Sequence, residues 1–262
     1  MKIAIIGGTG VYDSSILDEA SEITVDTKYG HISLIKGTRN KNEVFFLQRH
    51  GKNHKLIPSK VNYKGNIMAL KNLGVDLIIS TAAVGGINHC SPLDFVILDQ
   101  FIDFTKNRSA SFFDEENSGV LHVDMTEPYC KNVRKQLINS FKNVDVTPIE
   151  KGTYVCTEGP RFETPAEIQM YKILGGDVVG MTNVPEVVLA REASICYATI
   201  ALVTNYASGI SENQLTHKEV GENMLKMSKT LKMALEDFLD TISYDYTKCS
   251  CRNSQREINS LK

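Results

Sequence analysis

Short runs of consecutive apolar residues alternate along the chain with stretches in which apolar positions recur every three or four residues. The runs at 2–6, 32–35, 44–47, 77–79, 95–98, 153–156, 178–179 and 199–203 predict strands. Helices are predicted between them. Residues 62–73 place Ile67, Leu70 and Leu73 on one face and stop at Gly74, and residues 131–141 form a second such stretch. Thr164-Pro165-Ala166-Glu167 joins an N-cap hydroxyl, a proline at the first helical position and a glutamate three residues after the cap. A helix therefore starts there and ends at Gly175-Gly176. Thr216-His217-Lys218-Glu219 is a second capping box. After it Val220, Met224, Met227, Leu231, Leu235, Phe238 and Ile242 repeat at helical steps, the spacing of a core-facing stripe. The alternation predicts a single α/β domain over residues 1–242, with a central mixed β-sheet flanked by helices, and a polar tail over 243–262.

Composition narrows the function classes. The 262 residues are 42% apolar and 23% charged with 18 Gly and 7 Pro, which excludes a disordered, collagen-like or coiled-coil chain. A net charge of −2 offers no field to draw nucleic acid or an anionic membrane. The opening residues hold too short an apolar run for a signal peptide and no run reaches spanning length, so a cytoplasmic location is expected. In that compartment Cys90, Cys130, Cys156 and Cys196, scattered along the chain, read as reduced thiols packing like small apolar side chains. Cys249-Ser250-Cys251 in the tail permits redox chemistry or a metal contact. Two thiols without a nearby histidine complete no zinc set, and the tail has no assigned role.

In an α/β sheet, ligands bind beyond the carboxyl ends of the strands, where loops lead into helix N-termini. Unusual residues collect at such places: 7–10, 49–51, 81–86, 157–163, 180–182 and 204–209. Gly8-Thr9-Gly10 lacks the third glycine of a dinucleotide fingerprint, since Asp13 stands there, and no Gly-Lys-Ser or Gly-Lys-Thr of a phosphate-loop NTPase occurs. What remains is either a plain tight turn or a phosphate-binding turn carrying the Thr9 hydroxyl. Arg49-His50 pairs a permanent cation with a titratable donor, suited to a phosphate dianion or to a surface salt bridge. His50 and His54 have zinc-protease spacing, but Lys52-Asn53 occupy the places of the required glutamate, so no metal is expected.

The segment Thr157-Glu158-Gly159-Pro160-Arg161-Phe162-Glu163-Thr164-Pro165-Ala166-Glu167 is followed by Gly180-Met181-Thr182-Asn183-Val184-Pro185-Glu186-Val187. With Gly7-Gly8-Thr9-Gly10, Arg49-His50-Gly51, Pro58-Ser59-Lys60-Val61-Asn62-Tyr63, Gly85-Gly86-Ile87-Asn88 and Asp99-Gln100-Phe101-Ile102-Asp103, these make a chain that resembles the trimeric purine nucleoside phosphorylases and methylthioadenosine phosphorylases nearly end to end. The resemblance implies a nucleoside-phosphorylase-like fold. It also implies cleavage of a purine nucleoside by inorganic phosphate as co-substrate, with no metal or organic cofactor. It implies that Thr9, Arg49, His50, the Ala83 amide and Thr182 hold phosphate, that Met181 lies under the ribose and that Phe162 covers the base. His50, Glu163 and Asn205 would act on the reacting groups.

The adenine-specific branch of that family carries Asp at the positions of Asn205 and Ala207 and a small residue at Glu163. An Asn205 amide can donate to O6 and N7, and a Glu163 carboxylate can accept from N1–H, so the resemblance favours 6-oxopurine nucleosides. His217 matches a position that reaches the 5′-hydroxyl. An exposed first-turn histidine is the alternative, which leaves methylthioinosine and methylthioadenosine open as substrates. His122 matches a position that enters a neighbouring subunit's site, implying a homotrimer or a dimer of trimers. A nucleoside-binding protein without turnover is the remaining, non-enzymatic reading.

Overall fold

The computed structural model describes residues 1–7, 14–51, 56–116, 119–211, 217–243 and 245–253, with Ser14 and His217 described in backbone only. Its strands are β1 (Lys2–Gly7), β2 (Asp18–Thr27), β3 (Gly30–Arg39), β4 (Asn42–Gln48), β5 (Leu77–Gly86), β6 (Phe95–Ile97), β7 (Gln100–Phe104), β8 (Thr153–Thr157), β9 (Val178–Gly180) and β10 (Cys196–Tyr206). They form one mixed sheet in the order β2-β3-β4-β1-β5-β9-β8-β7, with β10 pairing both β5 and β6. β1 runs parallel to β4 and β5, and β10 parallel to β5, whereas β2, β3 and β4 form an antiparallel meander.

Side-chain alternation sets the layers. Ala4, Ile6, Phe45, Leu47 and Ile78 point to one face, and Ile3, Ile5, Val44, Phe46, Leu77 and Ile79 to the other. Each strand of the sheet's centre is apolar on both faces, as a sheet covered on both sides requires. The first face is covered by α1 (Tyr63–Asn72) and α4 (Asn183–Glu192), the second by α2 (Lys131–Asn143) and α5 (His217–Thr241). On α5 the stripe Met224, Met227, Leu231, Leu235 and Phe238 is at most 5% exposed. Full burial of each such side chain contributes about 1.5–3 kcal/mol.

Local signals worked where a cap or a glycine stops a helix. Asn62 caps α1 by accepting from the Gly65 amide, and Gly74 follows the helix with φ +72°. α3 (Pro165–Ile173) opens on the complete capping box: Thr164 Oγ1 accepts from the Glu167 amide while the Glu167 carboxylate accepts from the Thr164 amide. The structure departs from expectation in four places. β2 and β7, the two edges of the sheet path, are mixed-polarity strands that the apolar-run criterion passed over. α4 is buried along nearly its whole length, so it has no polar face to produce a helical period. Residues 81–86 and 204–206, expected as loops, lie inside β5 and β10, where Gly85 and Gly86 pair with Asn205 and Tyr206. Residues 245–253, part of the segment read as a polar tail, return to the domain: Cys249 and Cys251 are buried in the layer of α2 and α5.

Candidate active site

The position of the site follows from unequal strand lengths. β10 pairs β5 from Leu77 to Gly86, while on the opposite edge of β5 the pairing with β1 ends at Ser80 and that with β9 begins at Gly85. Between them, among the described residues, β5 has no strand neighbour on that edge. A cavity of about 370 Å³ opens there, lined by Thr81, Ala82, Ala83 and Val84 of β5. Arg49, His50, Phe162, Glu163, Met181, Thr182, Asn205 and Ala207 also line it. Eight residues singled out from the sequence thus meet with Ala83 in one cavity. Thr9 lies outside the described residues, as do His54 and the capping residue Thr216. His217 begins α5, but its side chain is not among those described. His122 is exposed and lines a different surface cavity, beside Cys249 and Cys251.

Arg49 is not a surface ion pair. Its guanidinium, 2% exposed, donates from Nε and Nη2 to the two carboxylate oxygens of Glu186 at 2.7 and 2.9 Å. It also donates from Nη1 to the Thr81 carbonyl at 2.9 Å and from Nη2 to Ser80 Oγ at 2.7 Å. Glu186 is itself 0% exposed and accepts further bonds from Ser80 Oγ and the Tyr197 hydroxyl. Burial works against the charge on Arg49, but Glu186 more than offsets it and holds the guanidinium protonated. Four of the five arginine donors are spent on this lattice, so Arg49 is oriented before any ligand arrives and presents one N–H more.

Thr81 adds a donor that sequence reading did not find. Its Oγ1 is buried in the cavity wall and has no hydrogen-bond partner among the described residues, a costly arrangement unless a ligand completes it. The His50 ring is fixed by Nδ1, which lies 2.7 Å from the Leu56 carbonyl; that contact assigns the proton to Nδ1. Thr182 precedes α4, yet its side chain makes no capping bond there. Met181 packs against Gly159: a Cβ on that glycine would sit 2.5 Å from the Met181 sulfur, and its φ of +64° also favours glycine.

The wall also carries Glu163 and Asn205. Glu163 accepts a 2.6 Å hydrogen bond from Thr157 Oγ1, and burial raises its carboxyl above the usual range despite that bond. Asn205 follows a β-bulge. Val203 pairs with Val84 and Asn205 with Gly85, so Thr204 is the extra residue and the alternation of β10 shifts by one. Thr204 Oγ1 donates to Asn205 Oδ1 at 2.8 Å and Asn205 Nδ2 donates to the Tyr206 carbonyl at 2.8 Å. These two bonds fix the amide orientation and leave one N–H, rather than two, for a ligand. Asn223 of α5 secures the bulge by donating to the Thr204 carbonyl at 2.7 Å. Ala207 is 3% exposed, and Phe162, 36% exposed, stands at the rim.

Sequence reading assigned no role to Glu186, Thr81, Thr157, Thr204 or Asn223. Thr81, Thr157 and Thr204 each open a segment it had singled out, and Glu186 left a trace of its own: a lone charge inside Val184-Pro185-Glu186-Val187-Val188-Leu189 is a residue that needs a buried partner.

Comparison with known proteins agrees with this geometry. The chain is 52% identical over 258 residues to a probable 6-oxopurine nucleoside phosphorylase of Dictyoglomus turgidum, covering 98% of this chain and 97% of the relative. It is 51% identical over 259 residues to the 6-oxopurine nucleoside phosphorylase of Pyrococcus furiosus, covering 97% of each. A solved methylthioadenosine phosphorylase of Schistosoma mansoni, in complex with adenine, superposes with a TM-score of 0.93 at 34% identity over 99% of this chain and 98% of that one. The family model of the phosphorylase superfamily matches residues 2–240, and with the fold and the near-complete relatives it establishes that this chain belongs to the phosphorylase superfamily.

Proposed function

We propose that the protein is a purine nucleoside phosphorylase acting in cytoplasmic purine salvage, cleaving 6-oxopurine nucleosides such as inosine and guanosine with inorganic phosphate to free base and ribose 1-phosphate. The observation that carries this reading is the presence of Glu163 and Asn205 in the same cavity as Arg49, His50, Thr81 and Thr182. As a phosphate oxygen bonds to C1′, the C1′–N9 bond breaks and its electron pair passes to the purine. The sugar gains cationic character and the base negative charge, so groups holding phosphate and the N–H of Asn205 both bind more strongly in the transition state. Glu163 accepts from N1–H, which a 6-oxopurine has and adenine lacks. No side chain needs to act as a nucleophile, and phosphate is the only co-substrate. The relatives at 51% and 52% identity support the same substrate class.

A 5′-methylthio substrate is the second reading, supported by the apolar Val220 and Met224 that α5 sets in the cavity wall. Base release from inosine, guanosine, adenosine, methylthioinosine and methylthioadenosine, each with and without phosphate, separates the readings. Release that does not depend on phosphate, or a preference for adenosine, would overturn the proposal.

Burial of Glu163 yields a pH prediction. Its folded-state pKa is raised, so its contribution to stability is present below the unfolded value and is lost as pH rises through the folded one. At neutral pH, above the unfolded value, the group therefore costs stability. Glu163→Gln, which can still accept from Thr157, should melt above the parent at neutral pH, lose that advantage in acid, and turn over inosine more slowly. Melting curves across pH together with inosine kinetics check it; a lower Tm than the parent at neutral pH contradicts the assignment.

The assembly belongs to the same proposal. His122 is outside the cavity of its own chain and exposed, consistent with service to a neighbour's cavity in a trimer or dimer of trimers. His122→Ala should raise the KM for nucleoside while leaving that for phosphate unchanged, and monomers should be inactive. Sedimentation coupled to activity measurement tests this, and active monomers refute it.

A further inference from the structure

The C-terminal segment meets two cysteines distant in sequence. Cys130 is the N-cap residue of α2, Cys196 opens β10, Cys249 follows the single turn Tyr246–Lys248, and Cys251 lies in the next turn, Ser250–Asn253. All four are buried thiols. Their sulfur atoms lie within 4.8 Å of one another, and Cys130 Sγ is 3.6 Å from Cys249 Sγ. The chain has six cysteines, and four of them converge on one point while Cys90 and Cys156 pack elsewhere. Apolar packing alone has no reason to gather sulfurs from three separate parts of the chain.

The dimensions fit a metal ion. Metal–sulfur bonds of about 2.3 Å in a tetrahedron set the sulfurs about 3.8 Å apart. The surroundings favour thiolates: Cys130 sits at the amide end of α2, where no side chain caps the helix, and Asn132 Nδ2 approaches Cys249 Sγ at 4.0 Å. A surface cavity beside the sulfurs, lined by Lys131 and Arg191 and also by Asp124 and Glu127, offers a path of entry. None of the four cysteines lines the cavity of the candidate active site.

We propose that Cys130, Cys196, Cys249 and Cys251 form a tetrathiolate site for a soft divalent cation, zinc in the first instance, that ties the C-terminal segment to α2 and β10. Sequence reading weighed Cys249 and Cys251 alone and expected no metal. Loading replaces four thiol protons by one M²⁺, with no change of oxidation state. Four protein ligands leave no open position, so the site is structural. The inference does not depend on the substrate of the enzyme.

The test uses the full chain, purified under reducing conditions without chelator. Elemental analysis should find close to one zinc per chain. Metal-free protein should take up one Co²⁺ with the visible and sulfur-to-metal bands of a tetrahedral tetrathiolate, displaced by Zn²⁺. The Cys249→Ser, Cys251→Ser double variant should bind neither ion. Because that variant alters buried residues, stripping the parent protein with chelator is the second arm: Tm should fall and recover when zinc is restored. A chain with negligible zinc, no tetrathiolate spectrum with Co²⁺ and an unchanged Tm overturns the proposal. So does a native mass lower by two hydrogens per bridge, showing that the same sulfurs pair as disulfides.

Discussion

Replacing Asn205 by aspartate is expected to lower inosine turnover by roughly 10²–10⁴, the range for losing one transition-state hydrogen bond and adding a repulsion against O6. The structure sharpens the reason. The amide holds a single orientation because Oδ1 accepts from Thr204 and Nδ2 donates to the Tyr206 carbonyl. A carboxylate keeps the first bond and sets an oxygen against the Tyr206 carbonyl in place of the second. It therefore loses both the N–H offered to the base and the bond that aims it. Adenosine does not gain in proportion, since Glu163 still faces the N1 lone pair. A useful switch requires Glu163→Ser and Ala207→Asp as well, three changes at one base edge whose effects are not additive. The third carries a cost of its own, because Ala207 packs with Ile87, Val179 and Tyr171 in a small apolar cluster. Side-by-side kinetics on inosine and adenosine decide the matter. If Asn205→Asp leaves inosine turnover unchanged, the hydrogen-bond account of this wall is wrong.

Arg49→Ala should act first on the fold. Removing one partner of a buried pair leaves Glu186 without its guanidinium, which costs about 3–5 kcal/mol. A higher KM for phosphate in that variant would mix lost binding with a loosened core. Thr81→Val separates the two. The substitution keeps the shape and removes a buried hydroxyl that has no partner among the described residues, so stability should hold or rise slightly. If that hydroxyl bonds to phosphate, KM for phosphate should rise by roughly 10–100-fold, the equivalent of about 1.5–3 kcal/mol for a hydrogen bond to a charged group. Denaturant unfolding and phosphate saturation curves on both variants provide the check. Unaltered phosphate saturation in Thr81→Val removes that residue from the site, and an undiminished stability in Arg49→Ala contradicts the Glu186 lattice.

The contrast between these residues shows what the chain discloses in one dimension. Local chemistry was legible. The box at Thr164 and Glu167, the stop at Gly74 and the stripe of α5 each depend on neighbours within a few residues, and each formed as expected. The motif segments were legible too, and residues from five of them line one cavity. Periodicity gave no signal where both faces are buried, as in α4, or where a strand closes the sheet's edge, as in β2 and β7. Nothing local announces that β1 stops pairing at Ser80, although the cavity opens along β5 beyond that point. Nor does the sequence show the bulge at Thr204, which turns Asn205 by one position of the pleat.

Pairing between distant residues was decided only by the folded chain. Arg49 and Glu186 are 137 positions apart, and their bond converts an apparent ligand cation into a preset, largely occupied one. Cys130 and Cys249 are 119 positions apart, so a tail with two thiols became one half of a four-sulfur cluster. Residue type, caps and motif order are properties of short segments and can be read along the chain. Which charge neutralises which, and which sulfurs meet, depend on how the layers are stacked, because burial makes an unpaired charge or donor costly only after the sheet and helices have closed around it.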